Sequence, residues 1–337
     1  MLPNMDSRKQ PGRLTEYAAL LLVWATLVLI FGTTSKHFLS HGTLIVLANR
    51  IPPLTVAATG MTLVLIIGAI DLSVGSLVGL CGAILGALLM DLHWPLGAAV
   101  AACIAVGGVV GCFNGAVSFL LGIPSFIVTL GMLEVARGLA YLVTDSQTKY
   151  IGGTIEVFSR PFVAGGISMA FLLAIGLVLA GQVLLARTVF GRQLLAIGAN
   201  QEAARLAGLR PRLTKMIVFT SMGLLAGIAS VFYTSRLGSS DPNAGAGMEL
   251  SAIAAVVIGG TSLEGGRGSV VNTFFGVLII ATLEAGLAQA GAREPLKRVI
   301  TGTVIVVAVI SDAWRHGGSA ASFFRSLWPG GRAPRSF

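Results

Sequence analysis

Apolar residues fall in long charge-free blocks along this chain, covering Tyr17–Ser35, Ile51–Ile70, Leu72–Met90, His93–Leu133, Pro161–Ala186 and Met216–Ser235. A helix crosses the bilayer core with roughly 20 apolar residues, so each block predicts at least one membrane span. The fourth is long enough for two, and Gly122-Ile123-Pro124 supplies the break, which gives spans near 96–119 and 124–143. Beyond residue 236 the runs shorten to Leu250–Leu263, Gly268–Leu283 and Val299–Ser311. With their flanks they predict spans near 250–262, 268–287 and 296–312. The expectation is an all-α polytopic membrane protein of about ten transmembrane helices, some of them broken or re-entrant.

Charge tests this count. With the amino end inside, the inner segments carry fourteen Lys or Arg against six acids, and the outer segments carry eight against seven. Positive charge gathers on the cytoplasmic side of membrane proteins, so both termini are expected in the cytoplasm. Residues 1–16 then read as a cytoplasmic tail, 17–312 as the transmembrane domain with a long inner loop at 187–215, and 313–337 as a basic cytoplasmic tail. That tail is Gly/Pro-rich and is expected near anionic lipid headgroups. The run after Arg13 is followed by Gly32-Thr33-Thr34-Ser35-Lys36, which offers no small-residue cleavage site, so it reads as an uncleaved span.

Composition narrows the class. Hydrophobic types make up 55% of the 337 residues and charged types only 11%, where a soluble domain carries roughly 25% charged residues. A soluble enzyme, a disordered chain and a secreted disulfide scaffold are excluded. The net charge of +9 would suggest nucleic acid in a soluble protein; here the sidedness bias accounts for it, and no nucleic-acid partner is expected. Cys81, Cys103 and Cys112 lie in apolar runs and read as small buried hydrophobes. The four histidines fall between runs or in the tail, so no metal site is expected.

Several segments carry more specific information. In GAIDLSVGSLVGL (68–80), Asp71 stands between two charge-free runs, where a carboxylate accepts from the free amides that open a helix. It reads first as a structural cap. Gly75, Gly79, Gly82 and Gly86 then give one side-chain-poor face, and Gly107, Gly111 and Gly115 repeat the spacing, as do Gly223 and Gly227. Tight helix packing is the favoured reading of all three. Glu134 and Arg137 lie one turn apart inside a span, where they are expected to neutralise each other or to line a pathway. Asn114, Ser125 and Thr129 are nearby uncharged groups able to bond to a passing hydroxyl or to a neighbouring helix. GGTSLEGGRGSV (259–270) separates two short apolar runs. Interrupted spans point to translocation sites, so Gly259 and Gly260 join the candidate pathway and gating residues, with an ordinary tight turn as the alternative. A weak internal likeness links this segment to IGAIDLSVGSLVG.

The inner loop RTVFGRQLLAIGANQEAARLAGLRPRLTK (187–215) has helical signals of its own. Asn200 suits a cap, Glu202 complements the helix dipole, and Gly208 suits a left-handed stop. The result is a short helix, too short to be stable alone, that would rest in a partner's groove. Glu202-Ala203-Ala204-x-x-x-Gly208 resembles the element of bacterial ABC importer permeases that docks on the ATPase subunit. Its surroundings are similar to the version in permeases for ribose, xylose and related monosaccharides. GAIDLSVGSLVGL, IPSFIVTLGMLEVARGLAYLVT (123–144) and AIAAVVIGGTSLEGGRGSV (252–270) match the same family's habits, in order, over about residues 50–310. The chain departs from the broader pattern at Arg210-Pro211-Arg212-Leu213, where Ile-x-Leu-Pro is usual.

The resemblance implies a transport subunit in the bacterial cytoplasmic (inner) membrane, not an enzyme and without catalytic residues. Glu202, Ala203, Ala204, Arg205 and Gly208 would couple it to a cytoplasmic ATPase. Its other partners would be a second permease copy and a periplasmic or lipid-anchored sugar-binding protein. None of Lys9, Lys36, Lys149, Lys215 and Lys297 follows a glycine, so no phosphate-binding GxxxxGK[ST] loop exists. ATP and Mg would belong to the partner chain, with no cofactor here. A permease for a nucleoside, a branched-chain amino acid or a furanose-like signal is an alternative, and an ion-coupled carrier a remoter one.

Overall fold

The computed structural model describes residues 13–35, 37–162 and 165–315. The expected tails, up to residue 12 and from residue 316, lie outside the described residues. In chain order the helices are α1 (Arg13–Thr34), α2 (His41–Arg50), α3 (Pro52–Ile66), α4 (Val74–Met90), α5 (Leu96–Leu120), α6 (Ser125–Thr144) and α7 (Met169–Arg187). There follow α8 (Val189–Ala199), α9 (Gln201–Leu206), α10 (Pro211–Leu237), α11 (Met248–Ile258), α12 (Val270–Gln289) and α13 (Glu294–Arg315). Two-residue strands β1 (Lys149–Tyr150) and β2 (Ser239–Ser240) pair antiparallel, Lys149 opposite Ser240.

Six helices among the described residues, α1, α5, α6, α7, α10 and α12, are long and apolar enough to cross a bilayer. α2 and α3 add a seventh if taken as one span bent by 44°. The bend falls where Pro52 and Pro53 open α3, because proline donates no amide to the preceding turn and its ring crowds it. α4, α8 and α11 are shorter apolar helices. The protein is thus a polytopic membrane protein. The break predicted at Gly122-Ile123-Pro124 stands between α5 and α6, with Gly122 at φ +75°.

Burial grades from centre to rim. α3 is buried at every position except Leu54, and α4 nearly so. α1, α6 and α7 leave most of their apolar side chains exposed or only half-buried, with Leu22, Leu29, Leu142 and Leu179 among the exposed ones. Apolar surface on that scale calls for lipid as solvent. The most extensive helix contact joins α5 to α10. A Cβ on Gly107 would sit 2.2 Å from the Gly223 carbonyl oxygen, and one on Gly223 2.0 Å from that of Gly107. The two glycine stripes read separately in the sequence therefore face each other.

Polar side chains pin the remaining contacts. Trp24 Nε1 donates to Thr282 Oγ1 at 3.1 Å between α1 and α12. The Thr62 and Thr273 hydroxyls meet at 2.8 Å between α3 and α12. Gln182 Oε1 on α7 accepts from the amides of Val270 (2.9 Å) and Val271 (3.2 Å), meeting donors that the first turn of α12 leaves without intrahelical partners.

Candidate coupling and gating site

α8 and α9 project together from one end of the bundle. Thr188 caps α8, its Oγ1 accepting from the Gly191 amide at 3.0 Å. Asn200 turns extended between the helices, and its Oδ1 accepts from the Ala203 amide at 2.9 Å. Gly208 ends the segment at φ +86°, the left-handed stop that favours glycine. Within α9 only Ala204 is buried. Glu202, Ala203 and Arg205 face outward, and Leu206 is 79% exposed. Glu202 and Arg205 pair across one turn in the open. The bonded, oppositely charged carboxylate pushes the Arg205 guanidinium above its already high ordinary pKa. Leu206, which sequence reading left out of this set, is its largest apolar member.

The base of this projection is a crossing of three backbones. The Gly266 amide, in the turn between α11 and α12, donates to the Ile66 carbonyl at the end of α3 at 2.8 Å. A Cβ on Gly198 of α8 would lie 1.8 Å from that same oxygen and 2.4 Å from the Gly266 nitrogen. No side chain larger than hydrogen fits there. So the α8–α9 segment, the end of α3 and the 259–269 turn, three motifs read apart in the sequence, meet at one point. Gly259 and Gly260 close α11 just before that turn, Gly260 at φ +81°.

The chain from α3 to α4 is held open beside this crossing. Asp71 is buried, and its Oδ1 accepts from the Ser73 amide (2.9 Å) and hydroxyl (2.6 Å) at the start of α4. Asn114 Nδ2 donates to the Ser73 hydroxyl oxygen at 3.0 Å. From α6, Ser125 Oγ accepts from the Ile70 amide at 3.2 Å and Thr129 Oγ1 from the Leu72 amide at 3.0 Å. Asn114, Ser125 and Thr129 thus converge on residues 70–73, Ser125 and Thr129 accepting from amides that no helix satisfies there and Asn114 donating to the Ser73 hydroxyl oxygen.

Glu134 and Arg137 part company. Glu134 is exposed and makes no ion pair among the described residues. Arg137 turns inward instead, its Nη1 donating to the carbonyls of Pro242 (2.5 Å) and Ala244 (3.0 Å). Residues 241–247 are irregular backbone outside any helix or strand, and Arg137 supplies the donor that two of its carbonyls would otherwise lack. Tyr141 donates to Asn243 Oδ1 at 2.6 Å. The glycine face of α4 accepts this stretch. A Cβ on Gly79 would sit 2.9 Å from the Ala244 oxygen, and one on Gly75 2.0 Å from a Glu249 carboxylate oxygen. At Gly75, Gly79 and Gly86 the stripe meets the 240–245 stretch rather than a helix, whereas a Cβ on Gly82 would meet Ser230 and Thr234 of α10 at 3.1 Å. Glu249 keeps one buried oxygen without a hydrogen bond. Sequence reading passed over both Glu249 and the 241–247 stretch, although DPNAGAG is a turn composition directly before a short apolar run.

Residues 43–309 match the family described as branched-chain amino acid transport system / permease component. Over 299 residues the chain is 36% identical to the ribose import permease protein RbsC of Escherichia coli, an alignment covering 87% of this chain and 92% of that protein. It is 32% identical to the L-arabinose ABC transporter permease protein AraH of Azospirillum brasilense, covering 93% and 94% of the two chains. It is 31% identical to the xylose transport system permease protein XylH of Escherichia coli, covering 88% and 91%.

Proposed function

Because the chain belongs to the branched-chain amino acid transport system permease family, we propose that it is the membrane subunit of an ATP-binding-cassette importer for a monosaccharide. Relatives named for ribose, arabinose and xylose support a sugar over the amino acid in the family's description. ATP hydrolysis falls to a separate cytoplasmic ATPase, and a binding protein outside captures the sugar and hands it over.

The observation that carries this reading is the glycine-bound crossing of Ile66, Gly198 and Gly266. It ties an exposed partner helix to both interruptions of the transmembrane bundle, so a movement imposed on α9 reaches the ends of α3, α11 and α12 without an elastic loop between. Glu202, Ala203, Arg205, Leu206 and Gly208 form the ATPase contact, with Ala204 as its anchor. Residues 67–73, held by Asn114, Ser125 and Thr129 and capped by Asp71, together with Gly259 and Gly260, form the gate at that end.

The lengths support ten spans. To the six long helices and the bent pair are added α4, α13 and a broken span made of residues 239–247 with α11. With the α8–α9 end in the cytoplasm, both termini lie there too. Glu134, exposed in mid-span on α6, is poorly placed for lipid, so that face meets either a second copy across a two-fold axis or the sugar pathway between the copies. Arg137 holds the broken span behind it.

The test is uptake of labelled ribose, arabinose and xylose by proteoliposomes holding permease, ATPase and binding protein. One of these sugars should accumulate only with ATP. Sugar accumulation driven by an ion gradient without the ATPase would overturn the reading.

A further inference from the structure

A cleft of about 440 Å³ opens at the α9 end of the bundle, between the α5–α6 turn, residues 68–70 and the start of α10. The gate residues Gly68, Ala69, Ile70 and Ser125 form one wall of it, but neither the gate nor the coupling contact uses its basic side. Two cations line it, Arg212 and Lys215, and no acidic residue does. They stand one turn apart at the start of α10 and so share a face. Neither makes an ion pair among the described residues. The Lys215 ammonium lies 5.4 Å from the centre of the Phe119 ring, a contact that leaves its hydrogen-bonding capacity unused. Ser118, also in the lining, is buried with a hydroxyl that has no partner. The first residues of α6, Ser125 and Phe126, bring the positive end of that helix's dipole to the same space.

On its other side the cleft meets apolar surface. Leu120, Leu121, Ile123, Phe126 and Ile127 are all more than one-third exposed and continue from its rim along α5 and α6. Cations with an unpaired hydroxyl at one end and bare apolar surface at the other match an amphiphile. A free anion would use only the first part. Basic pockets between transmembrane helices on the cytoplasmic side are suited to acidic lipid headgroups.

We propose that this cleft is a binding site for the headgroup of an anionic phospholipid, with Arg212 and Lys215 on the phosphate, Ser118 as a further hydrogen-bonding group, and acyl chains along the exposed face of α5 and α6. Gln201, the first residue of α9, also lines the cleft. The bound lipid therefore wedges the partner helix against the α5–α6 turn and supports its position.

The test uses full-length permease in detergent, titrated with phosphatidylglycerol or phosphatidylcholine and read by native mass spectrometry and by thermal unfolding. Wild type should retain one phosphatidylglycerol per chain at least tenfold more tightly than phosphatidylcholine. The Arg212→Gln/Lys215→Gln pair should lose that preference, and the Arg212→Lys/Lys215→Arg pair, which keeps both charges, should retain it. If the neutral pair fails to fold, the wild-type preference and the charge-keeping pair still decide. Equal retention of the two lipids overturns the proposal. So does full displacement of the lipid by millimolar inorganic phosphate, which would mark a site for a free anion. Loss of ATPase binding in the neutral pair with lipid preference intact would assign the cleft to the ATPase and overturn it as well.

Discussion

The Gly266 amide and the Ile66 carbonyl, two hundred positions apart in sequence, share a 2.8 Å hydrogen bond, and Gly198 of α8 packs onto it with no room for a side chain. Gly198→Val should therefore pry α8 from the end of α3. The expected outcome is that ATP hydrolysis persists while sugar uptake in proteoliposomes falls at least tenfold, because the ATPase still binds an intact α9. Gly176→Ala on α7 makes the contrast, since nothing lies within 4 Å of its added methyl and its backbone is helical, and it should leave uptake largely in place. Equal coupling in wild type and Gly198→Val would sink the idea that this crossing transmits motion.

The partner contact has an apolar centre that its charges do not supply. Leu206 is exposed, whereas Glu202 and Arg205 already satisfy each other in the open. Exposed ion pairs contribute little, about 0–1 kcal/mol, and a buried leucine roughly 1.5–3 kcal/mol. Leu206→Ala should weaken ATPase association about tenfold or more, measured by surface plasmon resonance on permease in nanodiscs. Glu202→Lys should weaken it too, by repelling Arg205 and unsettling the start of α9. If Leu206→Ala binds like wild type, the docking face lies elsewhere on the loop.

Arg137 gives a stability prediction. Its guanidinium is the donor for the carbonyls of Pro242 and Ala244, on a stretch with no helix or sheet to satisfy them. Arg137→Leu strands both, at about 1–3 kcal/mol for each buried group. Thermal unfolding in detergent should drop by several degrees, and Tyr141→Phe, which removes the bond to Asn243, should lower it less. Glu134→Gln should leave unfolding unchanged, because Glu134 has no partner to lose among the described residues. A drop for Glu134→Gln as large as for Arg137→Leu would restore the pairing expected from their spacing.

That spacing explains what the sequence could and could not disclose. Span positions were legible because a bilayer demands long charge-free runs, and Gly122-Pro124 and Asn200 act through local backbone chemistry that survives without tertiary context. The α5 and α10 glycines were legible as packing faces, though not as each other's partners. Arg137 was misread because its nearest opposite charge along the helix is Glu134, while its true acceptors are carbonyls 105 and 107 positions away. The 241–247 stretch reads as an ordinary loop. Whether it leaves the bundle or re-enters depends on a side-chain-poor face elsewhere, on α4, and no single segment records that pairing. Ser125 and Thr129 were legible as polar groups that could bond to a neighbour, though not as acceptors for the Ile70 and Leu72 amides, since helix periodicity gives a face but not what the face meets.

Asp71 separates a structural cap from a contact with the transported sugar. Its Oδ1 takes both the amide and the hydroxyl of Ser73, and Ser73 in turn accepts from Asn114, so the carboxylate heads a three-residue chain that shapes the gate. Asp71→Asn preserves an acceptor oxygen at that point, whereas Asp71→Ala removes it and leaves the Ser73 amide buried without a partner. Losing such a cap costs about 0.5–2 kcal/mol. The Ala variant should unfold several degrees lower and the Asn variant close to wild type. Uptake should follow the same order, with the sugar concentration for half-maximal uptake unchanged in both, because the binding protein sets it. A carboxylate that touched the sugar would give another pattern. Asp71→Asn would then fold normally yet shift the half-maximal concentration or the choice among ribose, arabinose and xylose, and that result would transfer Asp71 from the gate to the pathway.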